Sequence, residues 1–364
     1  MKVTHVISDT NVGGAGILLA NLQSALCELF DFEIILPAGS MLLSRLDPRK
    51  GRITEIDFLG DKSFSPRDVR TFHRIFRSRP PDVLHTHAVL SARVGASLAG
   101  VKNLLSTRHC AVNESGALSS LKRKLYDTYT TLTVSTAAAA TRNLISEGVP
   151  ADRIVTIQNG SRELPPLSAT ERNGLLASLG IPEHAAVVGC CARIEHVKGQ
   201  DVLLRAIPAV IKKHPNVYFL FIGDGSERHN VQNLARALGV WSRVKFIGYT
   251  ERARDYQNLF YVNVNASRGT ETSCLVTSEC MSLGIPTVAS DFGGNPEMIT
   301  HGKNGLIFPK DNHYALASEL DHVISNGALH SALSRGAREE FHRRFSLERM
   351  AGEYERLYRS FERC

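Results

Sequence analysis

The feature that most constrains this chain is a rhythm. Short apolar runs alternate with amphipathic stretches through the first half, stop, and then resume. The first set of strand-like runs is VTHVIS (3–8), FEIILP (32–37), RITEID (52–57), DVLHTH (82–87), NLLSTR (103–108), TLTVS (131–135) and RIVTIQ (153–158). Helical patterns such as 15–29 and 65–77 fill the gaps. The polar stretch NGSRELPPLSATERNG (159–174), with two adjacent prolines, breaks the series and reads as a linker. The second set is AAVVGCCA (185–192), VYFLFIG (217–223), RVKFIG (243–248), LFYVNVNA (259–266), IPTVASD (285–291) and NGLIFP (304–309). Strands alternating with helices build parallel sheets covered on both faces. The expected architecture is α/β: two Rossmann-like, doubly wound domains facing a cleft, over 1–163 and 164–345. A last helix, 346–364, is expected to pack back on the first domain. Ligands of such sheets gather at the carboxyl ends of the strands.

Length and composition agree with this reading and exclude others. A chain of 364 residues is too long for one ordinary core. Apolar residues at 43% and charged residues at 22% are the balance of a globular protein. No run of about 18 uncharged apolar residues is present, so no spanning helix is expected. MKVTHVISDT reads as a first strand and not as a signal peptide. The seven cysteines (27, 110, 190, 191, 274, 280 and 364) are odd in number and contain no C-x-x-C pair. A disulfide framework or zinc site is not expected, and a cytoplasmic setting is. The net charge is +7, of which +5 falls in residues 1–165. Without a nucleic-acid motif or aromatic-interleaved basic patch, a nucleic-acid partner is not expected.

Several segments carry candidate chemistry. Gly13 and Gly14, in NVGGAG, follow the first strand and open the first helix, where backbone N–H groups can approach an anion. The same residues also suit a plain strand–helix turn. Arg193 and Lys198, five residues apart after a strand, can converge on a diphosphate, or stay solvated surface cations. Gly223 ends another strand in GDG and is equally compatible with a turn. His85 and His87 are expected to point to opposite strand faces, which argues against an H-x-H metal pair. His109 follows the strand 103–108 and is expected to face the cleft, although a lone histidine is more often structural. Arg67, Arg70, Arg74 and Arg77 form a basic stripe that suits an anionic lipid surface or, more commonly, a solvated helix face.

The segment ETSCLVTSE, from Glu271 to Glu279, stands out. Ser273, Cys274 and Leu275, with Val276 behind them, place free backbone N–H groups at a helix start. Glu271 lies in the loop before that start and Glu279 about one turn beyond it. Carboxylates accept hydrogen bonds from sugar hydroxyls, while a helix N-terminus faces an anion. The alternative is a loop acid and a solvated helix acid.

In their order along the chain these segments resemble the retaining glycosyltransferases of family 4, which have the GT-B fold. The resemblance runs through Gly13–Gly14, PDVLHTH (81–87), STRH (106–109) and VSTAAAATRNLISEGVPADRIVTIQNG (134–160). It continues through ARIEHVKG (192–199), FIGDGSER (221–228), VKFIGY (244–249), the E-x7-E pair and SECMSLGIPTVASDFGGNPEMI (278–299). The resemblance implies that Arg193 and Lys198 hold the donor diphosphate. Glu279 would meet the ribose and Glu271 the donor sugar. His109 would lie near the transferred sugar and the acceptor. Gly13 and Gly14 would approach the diphosphate, and the backbone at Gly248 and Tyr249 would flank the base. It further implies transfer from a nucleotide-sugar donor, UDP-linked, to a glycan or lipid-linked acceptor in bacterial surface polysaccharide or lipopolysaccharide synthesis. No metal cofactor is expected. Peripheral contact with the inner face of the membrane is expected through the basic first domain, and acceptor choice in loops such as 110–121. Thr272–Ser273–Cys274 stands where the family usually has a glycine-containing stretch. Two other readings stay open here: a non-catalytic, glycosyltransferase-like binding subunit, and an epimerase or phosphorylase of the same fold.

Overall fold

This computed structural model describes residues 1–58, 64–109, 126 and 128–362. The loop 110–121, where the sequence reading places acceptor choice, lies outside them. The chain forms two compact units, Met1–Ser161 with Leu347–Cys364, and Arg162–Ser346.

In the first unit seven strands pair in parallel. They are β1 (Lys2–Ile7), β2 (Asp31–Pro37), β3 (Arg52–Ile56), β4 (Val83–His87), β5 (Asn103–Arg108), β6 (Leu132–Ser135) and β7 (Ile154–Thr156). Their spatial order is β3-β2-β1-β4-β5-β6-β7. The second unit has β8 (Ala186–Cys191), β9 (Val217–Ile222), β10 (Val244–Gly248), β11 (Val262–Asn265), β12 (Thr287–Ser290) and β13 (Gly305–Phe308). Their order is β10-β9-β8-β11-β12-β13, again parallel. Each order reverses once, between β1 and β4 and between β8 and β11. Beside such a reversal the crossover helices leave on opposite faces, and a ligand crevice opens at the carboxyl ends. The interior strands β4, β11 and β12 are buried at every residue, as strands covered on both faces must be.

Helix starts follow the capping chemistry of the sequence. Ser65 accepts from Asp68 N, with Pro66 in the first turn of helix Pro66–Ser78. Ser168 and Glu171 form a reciprocal capping box on helix Ala169–Ser178. The apolar side of Pro66–Ser78 buries Phe72 and Phe76, and its arginines 67, 70, 74 and 77 are exposed. Among the described residues no helix is long and apolar enough to cross a membrane.

The final helix, Leu347–Arg359, belongs to the first unit. Met350, Tyr354 and Tyr358 are fully buried in the core beside Ile7, Leu22 and Phe32. Each such side chain contributes roughly 1.5–3 kcal/mol through apolar burial. Its entry is pinned by Leu347 N donating to Ser161 O at 2.9 Å and Gly160 N to Met350 Sδ at 3.0 Å.

One expectation is corrected here. His85 and His87 do not point to opposite faces. Residues two apart on a strand share a face, and the two rings stack with centroids 5.1 Å apart, both fully buried.

Candidate functional site

The second unit assembles its polar groups at the β8/β11 reversal. The loop after β8 carries Arg193 and Lys198, and the loop after β11 carries Glu271. Lys198 Nζ lies 2.9 Å from Glu271 Oε2, both side chains mostly buried. Ser267 Oγ donates to the same oxygen at 2.8 Å. Burial alone pulls the Lys198 ammonium down, but the Glu271 carboxylate outweighs it, and the pKa stands above that of an ordinary lysine. The cation is therefore permanent at neutral pH. Arg193 is 65% exposed, pairs with Glu195 at 2.6 Å, and stands near enough to Lys198 to repel its charge.

The backbone makes this meeting possible. Gly199 has φ +68°, and a Cβ there would sit 2.1 Å from Ala266 O, so the Lys198 loop can press against the end of β11 only through glycine. Arg268 N and Gly269 N both donate to Val197 O, tying the two loops together. The Arg268 side chain pairs with Asp201 and Asp311. Thr270, next to Glu271, is held at φ +58°, a strained conformation for a β-branched residue. Gly294 closes against the same loop: a Cβ there would lie 1.6 Å from Thr272 O.

Glu271 leads into helix Leu275–Ser282, whose N-cap Cys274 makes no side-chain capping bond. Ser273 and Cys274 precede that start and Leu275 and Val276 form its first turn. Cys190, Cys191, Lys198, Glu271, Cys274 and Val276 are among the residues lining a cavity of about 30 Å³. Its thiols are inert. Burial raises Cys190 and Cys191 to about 12, and burial with the Glu271 charge raises Cys274 to about 11. They form a neutral wall and supply no thiolate nucleophile.

Glu279 faces a different set. Its Oε1 accepts from Arg254 Nε at 3.0 Å and its Oε2 from Gln257 Nε2 at 3.1 Å. Gly223 follows β9 and Gly248 ends β10, and the two are joined by Gly223 N donating to Gly248 O at 2.9 Å. Tyr249 beyond them is 54% exposed. Gly13, Gly14 and His109 belong to the first unit. A Cβ at Gly14 would meet nothing within 4 Å, so neither packing nor backbone angle explains that glycine. His109 Nε2 lies 2.8 Å from His87 Nδ1. Its ring is partly buried, and burial lowers its pKa to about 4.

Sequence reasoning missed Ser267, Arg254, Gln257, Asn263 and Asn265. One signal was available for the asparagines. They alternate in VNVN, a strand whose surroundings are apolar, and a buried polar residue is the informative anomaly. Asn263 Oδ1 and Asn265 Nδ2 are buried without a protein partner, and both residues line the cavity. Among the described residues no group of three or more His, Cys, Asp or Glu could hold a metal ion.

Comparison with known proteins matches both units. The family model Glycosyltransferase Family 4 matches residues 12–161, and Glycosyl transferases group 1 matches 172–340. The D-inositol 3-phosphate glycosyltransferase of Corynebacterium aurimucosum is 29% identical over 304 residues, covering 76% of this chain and 71% of that protein. The lipopolysaccharide core biosynthesis glycosyltransferase LpsE of Rhizobium meliloti is 29% identical over 184 residues, or 50% of this chain and 53% of that protein. The crystal structure of Anabaena HepE in complex with UDP and glucose aligns with a TM-score of 0.88 at 20% identity, covering 99% of this chain and 100% of that one.

Proposed function

Since the chain is a glycosyltransferase of the GT-B fold, related to group 1 and family 4, we propose that it moves a sugar with retention from a UDP-linked donor to a glycan or lipid-linked acceptor. The observation that carries this reading is the Lys198–Glu271 pair at 2.9 Å, seated beside a helix start whose N-cap residue, Cys274, makes no side-chain capping bond. Breaking a sugar–phosphate bond leaves an anionic nucleoside diphosphate and an oxocarbenium-like sugar. A permanent cation and a helix N-terminus stabilise that leaving group electrostatically. In this reading Lys198 and Arg193 receive the diphosphate. Glu271 orients Lys198 and accepts from hydroxyls of the sugar. Glu279, already oriented by Arg254 and Gln257, accepts from the ribose. Gly13 and Gly14 admit the diphosphate closely, Gly223 and the stretch Ser273 to Val276 offer backbone to the donor, and Gly248 and Tyr249 flank the base.

A donor of this kind suits UDP because a solved structure of the same fold, HepE, holds UDP and glucose. Surface polysaccharide or lipopolysaccharide synthesis is supported by the likeness to LpsE. Peripheral contact with an anionic membrane rests on the four exposed arginines of helix Pro66–Ser78, and sedimentation with anionic against neutral vesicles tests it.

The central test is UDP release from a panel of UDP-sugars with candidate acceptors, for wild type, Glu271→Ala and Lys198→Ala. Both variants are expected to lose about 10²–10³ in turnover, the scale of removing one preorganised electrostatic group. Equal turnover in all three proteins overturns the assignment. The anomeric configuration of the product, read by NMR, decides retention.

A further inference from the structure

The function proposed above uses one histidine of the first unit, His109. That histidine belongs to a longer chain. Thr107 Oγ1 lies 2.6 Å from His85 Nε2, and His85 Nδ1 lies 2.8 Å from the Tyr358 hydroxyl. The same hydroxyl lies 3.1 Å from His5 Nε2. His5 Nδ1 is 3.1 Å from His87 Nε2, and His87 Nδ1 is 2.8 Å from His109 Nε2. Six side chains from β1, β4, the end of β5 and the final helix thus form one hydrogen-bonded line. All but His109 are at most 2% exposed.

Elementary valence leaves this line few arrangements. Burial, chiefly, keeps the imidazoles of His5, His85 and His87 neutral, and His109 also. A neutral imidazole has one N–H and one lone pair. Each of the five contacts needs one proton. If His5 donates to His87, then His87 must donate to His109, and the same logic holds at His85. Three arrangements put one proton in every contact: all protons directed toward His109, all directed toward Thr107, or His85 and His5 both donating to the Tyr358 oxygen, which has two lone pairs. The third leaves the Tyr358 hydrogen without an acceptor at a fully buried site, which disfavours it.

The buried Thr107 end chooses between the other two. With the protons directed toward His109, the Thr107 hydroxyl donates to His85 and is satisfied. With the opposite polarity Thr107 accepts, and its own hydrogen needs another acceptor in a site only 2% exposed. Tyr354, the hydroxyl beside it, could accept only by leaving its own buried hydroxyl without a partner. An orphaned buried donor is the costlier outcome.

We propose that Thr107, His85, Tyr358, His5 and His87 form a tautomer relay that fixes the N–H of His109 on Nδ1, so that His109 meets a sugar hydroxyl oxygen as a neutral hydrogen-bond donor and not as a base. The five are positioning residues. The role at the sugar rests on the function proposed above, whereas the relay does not. Tyr358 comes from the helix that follows the whole second unit, so the relay is complete only once that last helix has docked.

The test is 15N NMR of the full chain labelled at histidine, with His109→Gln identifying the His109 signals. The expected wild-type spectrum has a protonated Nδ1 and a bare Nε2 at His109. Thr107→Val removes the anchoring hydroxyl and is expected to move His109 toward the Nε2–H form that an unconstrained neutral imidazole favours. Thr107→Ser restores the wild-type pattern. Tyr358→Phe cuts the line in its middle and should shift His109 in the same direction, which keeps the test decisive should Thr107→Val not fold. In the transfer assay, Thr107→Val and Tyr358→Phe are expected to lower kcat about tenfold with little change in donor KM, the scale of one hydrogen bond. An Nε2–H tautomer at His109 in wild type, or His109 signals unmoved in both variants, overturns the relay. A wild-type protein with the expected tautomer and coupling but no sugar transfer supports the relay and overturns the function on which its role rests.

Discussion

The β1/β4 reversal and the β8/β11 reversal occupy the same place in the same topology, and the chain furnishes them with opposite chemistry. At β8/β11 the groups are ionic: Lys198 and Glu271 at 2.9 Å, with Arg193 near and Glu279 held by Arg254 and Gln257. At β1/β4 the groups are neutral: His5, His85, His87 and His109 in a hydrogen-bonded line, beside a glycine turn that presents no side chain. Strain marks both places. Ala88, just after His87, has φ +64°, and Thr270, just before Glu271, has φ +58°. Topology supplies an opening at each reversal, and side-chain type decides what enters. An ionic rim suits a diphosphate, while a neutral line suits hydroxyls, whose recognition depends on where one proton sits.

The largest of the further effects falls on the ionic region. Gly294→Ala places a Cβ against Thr272 O, where only 1.6 Å is available, and must push aside the loop that carries Glu271. We expect turnover to fall about 10²-fold, as for other small misplacements of reacting groups. Wild-type turnover in this variant would show that the loop's position is not critical.

Acid should separate the two regions by stability. His5, His85 and His87 are held well below the ordinary value of 6.5 by burial, and His109 at about 4. Below pH 6.5 the unfolded chain therefore binds protons that the folded first unit does not. Stability is full above the unfolded value and falls as pH drops, by up to about 1.4 kcal/mol per pH unit for each ring. Thermal unfolding followed by hydrogen exchange should show the first unit losing protection between pH 6.5 and 5 before the second. Parallel loss in both units would break the contrast.

Ser267→Ala sharpens the ionic side. Its hydroxyl donates to Glu271 Oε2, and a hydrogen bond to a charged group is worth about 1.5–3 kcal/mol. A loss of about tenfold or more in kcat is expected, with the fold unchanged by circular dichroism. Gly14→Ala is the smallest and most asymmetric change. The new methyl meets no protein atom, so thermal stability should hold or rise by up to about 1 kcal/mol through helix propensity. Donor KM should rise if the diphosphate approaches this turn. An unchanged KM would remove Gly14 from the donor site.

Most of the architecture is legible in the sequence. Each of the thirteen strands among the described residues lies within or at the edge of an apolar run read from the sequence, because interior parallel strands are buried on both faces and stand out as continuous apolar segments. Lys198 and Glu271 were legible as candidates by type and by position after a strand. Their contact was not, since it joins residues 73 apart through a turn that only Gly199 permits. The histidines show a misreading of another sort. The two-residue strand period by itself puts His85 and His87 on one face, against the expectation of opposite faces.

The sequence by itself determined the periodicities, the helix caps, the linker and the inventory of ionisable groups, all of which act over a few residues. Tertiary structure alone decided which of them meet. It brought Tyr358, 353 positions away, within 3.1 Å of His5, and it turned four separate histidines into one coupled line. The physical reason is range. Capping and amphipathicity are set by neighbours in the chain, whereas a proton's place on an imidazole is set by neighbours in space, which exist only once the sheet and its last helix have packed.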